Sequence, residues 1–427
     1  MVKIGTNQLS VAVIGAGAAG LVATRELLCE GHHVTAFEQN DNVGGIWDYQ
    51  EECETEDLLG RNPNRRHVHS SMYSSLRTNL PRQIMSFSDF PFIPEVMGDR
   101  SHDSRRFPSH TEVQAWLEVF AAKFHLRPHI KFNMVVCVGN YHQPNLPEIK
   151  GMDDFKGLQM HAHNYRSSSM FAGMQVIVVG ASFSGEELAR AIADVASHVF
   201  HSARSFQEST PRDNITRVAM LTELSSDGVA LFQDGTQIAN IDAVIYCTGY
   251  QYAYPFLEGT GLVTSHDMRV DPLWQHIFPP NVAPTLAFVG LIWKSLRNPQ
   301  FELQSKLVAR VLSGRAQLPS RLQMVQEVAD FYQQLVDCGV PVRYTHNQTN
   351  IMPVNQWSYN AKLAEICGPD VPKQPDWLQA LYAATSVHIV GRPDSFRDEW
   401  GPQEIAVYDI ADKFCTQMMQ ELRDHNA

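Results

Sequence analysis

Two glycine-rich turns carry most of the chemistry legible in this chain. The apolar run Val11 to Ile14 ends in Gly15-Ala16-Gly17-Ala18-Ala19-Gly20. That order predicts a strand, a tight turn and a helix. Gly15 permits the turn, Gly17 lets a pyrophosphate approach the backbone, and Gly20 lets helix and strand pack closely. The phosphates would sit at the helix N-terminus, where free N–H groups and the helix dipole favour anions. A second apolar run from His33 closes on Glu38, 23 residues after Gly15, near the spacing of a carboxylate that holds ribose hydroxyls. A carboxylate repels a 2′-phosphate, so this turn suits FAD or NAD rather than NADP. An ordinary βαβ turn is the other reading of a lone GxGxxG.

The pattern recurs at Gln175 to Val179, followed by Gly180-Ala181-Ser182-Phe183-Ser184-Gly185. Ser182 replaces the central glycine, and the acid expected about 20 residues on is missing. Arg204 stands there instead, 24 residues past Gly180. A guanidinium binds phosphate oxygens in pairs, which is what the 2′-phosphate of NADPH needs; a surface arginine on a structural βαβ is the alternative. One site suited to FAD and one to NADPH imply electron transfer between them. Gly44-Gly45-Ile46-Trp47 reads either as close backbone approach to a flat ligand or as a simple loop. Asn79, in Leu76-Arg77-Thr78-Asn79-Leu80-Pro81, reads from the residues alone as a turn asparagine.

Other chemistries find no support. No Ser/His/Asp or metal-ligand set emerges. The seven cysteines (29, 53, 137, 247, 338, 367 and 415) form no CxxC pair, which argues against a disulfide framework, a zinc ribbon or a dithiol centre and fits a reducing compartment. A net charge of −12 without a Lys/Arg block argues against nucleic acid as a partner. No run of 18 apolar residues and no signal-like start are present, so neither a membrane span nor export is expected, and cytoplasm is the default location.

The elements that must position these residues follow from pattern. At 427 residues the chain allows two or three domains. Ser109-His-Thr-Glu112 reads as a capping box before a core-facing helix with Val113, Trp116, Leu117, Phe120, Ala121 and Phe124 at helical period. Residues 48–70 read as a polar surface excursion, and 130–137 as one short strand. Gly139 and Pro144 to Pro147 mark a loop or hinge. Asp242 to Tyr250 reads as a buried strand ending in a tight turn, and Leu286 to Gly290 likewise. Helices are expected over 301–313 and 320–338, near 357–366 and 377–383, and at the C-terminus.

With these residues assembled, the chain resembles the class B flavin-containing monooxygenases, most closely the plant branch with the glucosinolate S-oxygenases. Phe155-x-Gly157-x-x-x-His161-x-x-x-Tyr165 resembles the family's identifying sequence, and Cys247-Thr248-Gly249-Tyr250 its hinge motif. Leu76 to Pro81 resembles the flavin-facing loop, Phe301 to Lys306 the late flavin-domain helix, and Phe396-Arg-Asp-Glu-Trp400 the plant ending. The resemblance implies an α/β fold of two dinucleotide-binding, Rossmann-like domains. The NADPH domain (151–250) would be inserted in a discontinuous FAD domain (1–150 and 251–427). It implies that NADPH reduces FAD, that O2 adds at flavin C4a, and that a soft nucleophile takes the distal oxygen. The substrate would be a small thioether or amine. There would be no membrane anchor, and a homodimer is allowed.

The resemblance also assigns residues. Asn79 becomes the catalytic candidate, oriented to hydrogen-bond the oxygenated flavin and NADP+. Gly45, Ile46, Trp47, Thr78 and Leu80 join the FAD set, and Thr248 and Gly249 the hinge beside the cofactors. His161 and Tyr165 are read as structural. The same comparison implies a departure. A parallel strand, a three-stranded meander and a further strand are expected after the capping-box helix. Here Ile130-Lys-Phe runs straight into Met134 to Cys137, with a few dozen residues absent at 133–134. Two parallel strands need a crossover of a dozen or more residues, so an uncovered sheet, weaker FAD binding and lower stability are expected. An uncoupled NADPH oxidase and a non-catalytic paralogue are the rival functions.

Overall fold

The computed structural model describes residues 8–62, 65, 68–132, 139, 141–206, 212–349 and 354–424. The elements run β1 (Ser10–Ile14), α1 (Ala18–Cys29), β2 (His33–Phe37), α2 (Pro94–Met97), α3 (His110–Lys123), β3 (Ile130–Lys131) and β4 (Gln143–Pro144). Next come β5 (Leu158–His161), β6 (Gln175–Val179), α4 (Phe183–Ala193), β7 (His198–Ser202) and β8 (Ile215–Val218). Then follow β9 (Leu221–Leu224), β10 (Ala230–Phe232), β11 (Gln237–Ile238), β12 (Ala243–Tyr246) and β13 (Tyr250–Gln251). The chain ends in β14 (Thr264–His266), β15 (Arg269–Asp271), α5 (Arg297–Ser313), α6 (Arg321–Asp337), α7 (Gln356–Cys367), α8 (Asp376–Gly391) and α9 (Pro402–Asp424).

The first sheet is parallel, in the order β1-β2-β3, with Ser10 opposite His33 and Ala36 opposite Ile130. Side chains alternate between its faces. Val13, Val34 and Ala36 point into a core with Leu21, Val22 and Leu27 of α1, Trp116 and Phe120 of α3, and Leu307 of α5. The opposite face carries Ser10, Ala12, Ile14, His33, Thr35 and Phe37. None of these is buried, and Ser10, Ala12 and His33 are exposed. A groove of about 430 Å³ lies along β1 and β2. A parallel sheet is ordinarily covered on both faces; among the described residues this one is covered on one.

The second sheet is the five-stranded parallel β5-β12-β6-β7-β8. Val176 and Val178 pack with Leu188 and Ile192 of α4 on one face. Ile177, Val179, Val244 and Tyr246 pack on the other against Leu221, Leu224, Ala230 and Phe232 of the β9–β11 meander. The chain passes between the two sheets through β4 and β13, which pair antiparallel, with Asn145 N–H donating to the Gly249 carbonyl at 2.9 Å. The expected hinge segments therefore lie side by side as one ribbon.

Several expectations are corrected. Leu286 to Gly290 is not a strand; Gly290 N–H is taken by Gln304 Oε1 at 2.9 Å instead of by a neighbouring strand. Ser109 does stand at the N-cap of α3, but its side chain makes no cap bond, and Glu112 is drawn away to the backbone of His102 and Asp103 at 2.9 and 3.1 Å. A capping box does form at α6, between Ser320 and Gln323. The 48–70 excursion is tied down: Asn164 Oδ1 accepts from Glu54 N–H at 3.1 Å, and Arg166 Nε donates to the Gln50 carbonyl at 3.0 Å. Helix α5 starts at Arg297 rather than at Phe301, and α8 runs on to Gly391. The expected strand end Met134 to Cys137, and the junction at 133–134, lie outside the described residues.

Candidate dinucleotide sites and the loop between them

The first turn is fixed by backbone geometry. Gly15 has φ +93°, a region that favours glycine. A Cβ on Gly20 would lie 1.9 Å from the Gly15 carbonyl oxygen, so helix and turn approach only without a side chain. Gly17 is the N-cap of α1 and bridges to Gly44; a Cβ on it would meet the Gly45 Cα at 3.4 Å. Gly44, Gly45, Ile46 and Trp47 thus fold onto the turn rather than forming a separate loop, and Trp47 packs on the first core. Glu38 is buried, and its carboxylate braces the turn by accepting from Ala16 N–H at 2.6 Å and Asn40 N–H at 3.0 Å. Ala18 is buried and Ala19 half-buried, as a helix start packed on its own strand requires.

The second turn repeats the plan. Gly180 has φ +110°, and a Cβ on Gly185 would lie 1.8 Å from the Gly180 oxygen. Ser182 is the N-cap of α4 with φ −86° and ψ −175°, close to the −72° and −175° of Gly17. Any residue adopts that conformation, so serine costs nothing in backbone strain. Its hydroxyl makes no cap bond, and Ser182, Phe183 and Ser184 are exposed while Ala181 is half-buried. Arg204 is exposed two residues past β7. Beneath the turn lies His201, which no motif in the sequence singles out. It is buried, its ring Nε2 is 2.8 Å from the Gly180 carbonyl, and burial pushes its pKa down.

Asn79 is half-buried on the loop before Pro81, and its neighbours are held firmly. Thr78 is buried and its N–H donates to the Pro108 carbonyl at 2.8 Å. Arg397 Nε donates to the Thr78 carbonyl at 2.9 Å, and Leu80 packs between two core clusters. The hinge motif is bound to the incoming linker: Thr248 Oγ1 donates to the Asn145 carbonyl, and Asn145 Nδ2 to the Thr248 carbonyl at 3.3 Å. His161 and Tyr165 sit inside this construction. His161 Nδ1 accepts from His163 N–H at 3.1 Å, its ring meets Tyr250 edge-to-face at 5.1 Å, and burial pushes it down to about 3. Tyr165 packs edge-to-face on Tyr73 at 5.3 Å. His161 thus touches the hinge through Tyr250, and Tyr165 packs away from it on Tyr73 and Phe171.

Unmet hydrogen bonds also mark the start of α5, next to the Phe301 to Lys306 motif. Gln300, in the first turn of α5, is fully buried with both amide atoms unpartnered among the described residues, and the nearby Ser295 hydroxyl is likewise unpartnered. Buried polar groups are ordinarily satisfied, so a ligand with acceptors and donors at this helix N-terminus suits them. Gln300 lies one residue before the recognised Phe301 to Lys306 motif, and nothing in its own neighbourhood of sequence singled it out. Among the described residues no group of three or more His, Cys, Asp or Glu side chains is arranged to hold a metal, and no helix is long and apolar enough to cross a membrane.

Two parallel-sheet units, one with its glycine turn after β1 and the other with its glycine turn after β6, are joined by a paired hinge and make a two-domain dinucleotide-binding protein. The flavin-binding monooxygenase-like family model matches residues 8–138, 133–209 and 213–372. The chain belongs to that family and is a flavin-containing monooxygenase. It is 41% identical over 431 residues to flavin-containing monooxygenase FMO GS-OX-like 4 of Arabidopsis thaliana, covering 91% of this chain and 94% of that one. It is 39% identical over 437 residues to FMO GS-OX5 of the same plant, covering 94% of each. The solved S-allyl-L-cysteine S-oxygenase from Allium sativum superimposes with a TM-score of 0.89 at 37% identity, over 97% of this chain and all of that one. The family resemblance and the α/β fold thus hold, and the cofactor that names the family is a flavin.

Proposed function

We propose that this enzyme uses NADPH and FAD to place one atom of O2 on a soft heteroatom, thioether sulfur before amine nitrogen. Thioether, O2, NADPH and a proton would give sulfoxide, NADP+ and water. The observation that carries the reading is the contrast between the two turns: buried Glu38 at the first, exposed Arg204 at the second. The sulfur preference is supported by the S-oxygenase from garlic named above.

Bound flavin supplies the redox and oxygen chemistry, and the protein supplies placement. Gly15 to Gly20 would hold the FAD pyrophosphate at the α1 N-terminus, with Gly45, Ile46, Trp47, Thr78 and Leu80 beside it. Gly180 to Gly185 and Arg204 hold NADPH, with Thr248 and Gly249 at the hinge between. Asn79, half-buried on its loop, would offer its amide N–H to the reacting centre.

The test is the visible spectrum of the purified protein, before and after NADPH in air, followed by product analysis with thioethers and amines. A flavin spectrum that bleaches, recovers and leaves sulfoxide supports the proposal. Bleaching with peroxide alone would refute oxygen transfer.

A second reading, weak FAD retention, is favoured by the open face of the first sheet. The 431 aligned positions exceed the 91% of 427 residues that they cover in this chain, so the FMO GS-OX-like 4 relative has residues at roughly forty positions where this chain has none. Inserting the relative's segment at 133–134 and measuring FAD per chain tests it. Equal flavin content with and without the segment would remove the reading.

A further inference from the structure

Residues Asp394 to Asp398 lie between α8 and α9 and hold on to both sheet units at once. Toward the second, the Asp394 carboxylate accepts from Arg190 Nη1 of α4 at 2.5 Å and from Arg212 Nη2 at 2.8 Å. Toward the first, Asp398 receives the Arg77 fork at 2.7 and 2.8 Å. Arg397 spans the two. Its Nε donates to the Thr78 carbonyl at 2.9 Å, and its Nη2 reaches both the Arg77 carbonyl at 3.3 Å and Glu187 Oε1 of α4 at 2.6 Å. Phe396 anchors the segment, buried edge-to-face on Phe107 at 5.5 Å.

One planar guanidinium therefore ties the peptide units just before Asn79 to an acid on the helix whose N-terminus forms the second turn. Arginine suits this because its fork presents several donors in a fixed plane, whereas lysine offers a single mobile charge. The Arg397 side chain is 16% exposed, so the Glu187 contact is partly shielded from solvent.

We propose that Arg397 is a positioning residue: it couples the orientation of the Asn79 loop to α4, so that the loop and the second dinucleotide turn move as one. The catalytic consequence rests on the function proposed above. The coupling itself does not.

The test compares the wild-type holoprotein with Glu187→Gln, Arg397→Lys and Arg397→Ala. Hydrogen exchange of the peptide covering residues 76–82 reads the coupling without any turnover. Glu187 lies in the other unit, yet Glu187→Gln should raise that peptide's exchange about fivefold, as exchange of a charge-assisted hydrogen bond for a neutral one does. Arg397→Ala should raise it further, with Arg397→Lys between them. Unchanged exchange in Glu187→Gln overturns the coupling, whether or not the wild type oxygenates anything. The second readout is peroxide released per NADPH consumed at saturating NADPH. It should rise severalfold in Glu187→Gln and Arg397→Ala and be partly restored in Arg397→Lys, with the rate of flavin reduction within about twofold of wild type. Altered exchange with an unchanged peroxide ratio would overturn the positioning role.

Discussion

Acid should destabilise this protein through a pair of buried histidines, and the size of the effect can be worked out. His276 and His346 face each other, Nδ1 to Nδ1, at 3.0 Å, and both are buried. Val270 N–H donates to His346 Nε2 at 3.0 Å, so that nitrogen carries no proton. The His346 proton then sits on Nδ1 and donates to His276 Nδ1. His276 keeps its own proton on Nε2, which lies 3.5 Å from Gln348 Nε2; turning that amide over brings its otherwise unpartnered oxygen to accept this proton. This assignment follows from the network of partners. A second proton on either ring would set N–H against N–H. Burial accordingly pushes His276 down to about 4 and His346 well below its ordinary value.

Relative to an unfolded histidine near 6.5, the His276 shift corresponds to about 3 kcal/mol. The folded pKa lies below the unfolded one, so between them the unfolded chain binds more protons and stability rises with pH. The full contribution is present above about pH 6.5 and is lost as pH falls toward 4, with about 2 kcal/mol gone by pH 5. Urea unfolding at fixed FAD, from pH 7.5 to 5, measures it. His276→Gln retains an oxygen to accept from His346 Nδ1–H and does not titrate, so its loss over that range should be about 2 kcal/mol smaller than that of wild type. Equal pH slopes for the two proteins would refute the tautomer argument.

Arg204→Ala should raise KM for NADPH by at least about tenfold and leave KM for NADH nearly unchanged, because only the former loses a charge-assisted phosphate contact; parallel changes would remove the 2′-phosphate role. Asn79→Ala should still permit flavin reduction by NADPH while oxygenated product per NADPH falls by about tenfold or more, as expected for loss of a donor at the reacting centre; an unchanged product ratio would return Asn79 to the status of a turn residue. Gly185→Ala forces its Cβ to within 1.8 Å of the Gly180 carbonyl, so it should abolish NADPH-dependent bleaching while FAD absorbance survives, and retained bleaching would show that the second turn is not the NADPH site.

What was legible in the sequence was local. Gly20 and Gly185 are required by carbonyls only five residues away in each turn, so the glycine spacing itself announces them. Ser182 looked like a flaw under a fixed motif, yet its φ of −86° needs no glycine. Where the sequence misled, a distant partner had won. Ser109 and Glu112 spell a capping box, but Glu112 is claimed by the 101–103 loop and by Arg82 at 3.4 Å. Leu286 to Gly290 has the composition of a strand and lacks a neighbour to pair with among the described residues. The Arg397 contacts join positions 210 and 319 residues apart, and no spacing rule reaches that far.

The open face of the first sheet bears on stability more than on the shape of the FAD turn. Gly15 N–H donates to the Phe37 carbonyl at 2.7 Å and Ala16 N–H to Glu38, so β2 and its end hold the turn from the side. The residues left uncovered include Ala12 and Ile14 of β1 and Phe37 of β2. Each leaves apolar area in water that a cover would bury at about 25 cal/mol per Å². The turn is therefore preserved in the folded molecule, while the folded molecule is less populated. A ligand that binds only the folded state should compensate, by about 2.7 kcal/mol at a hundred times its Kd. Saturating FAD should accordingly raise Tm by several degrees in this chain, and by about as much once the relative's segment has been inserted at 133–134, while Tm without FAD rises on insertion. A clearly larger FAD-dependent rise after insertion would mean that the segment acts on FAD affinity itself, and the separation drawn between sheet and turn would fail.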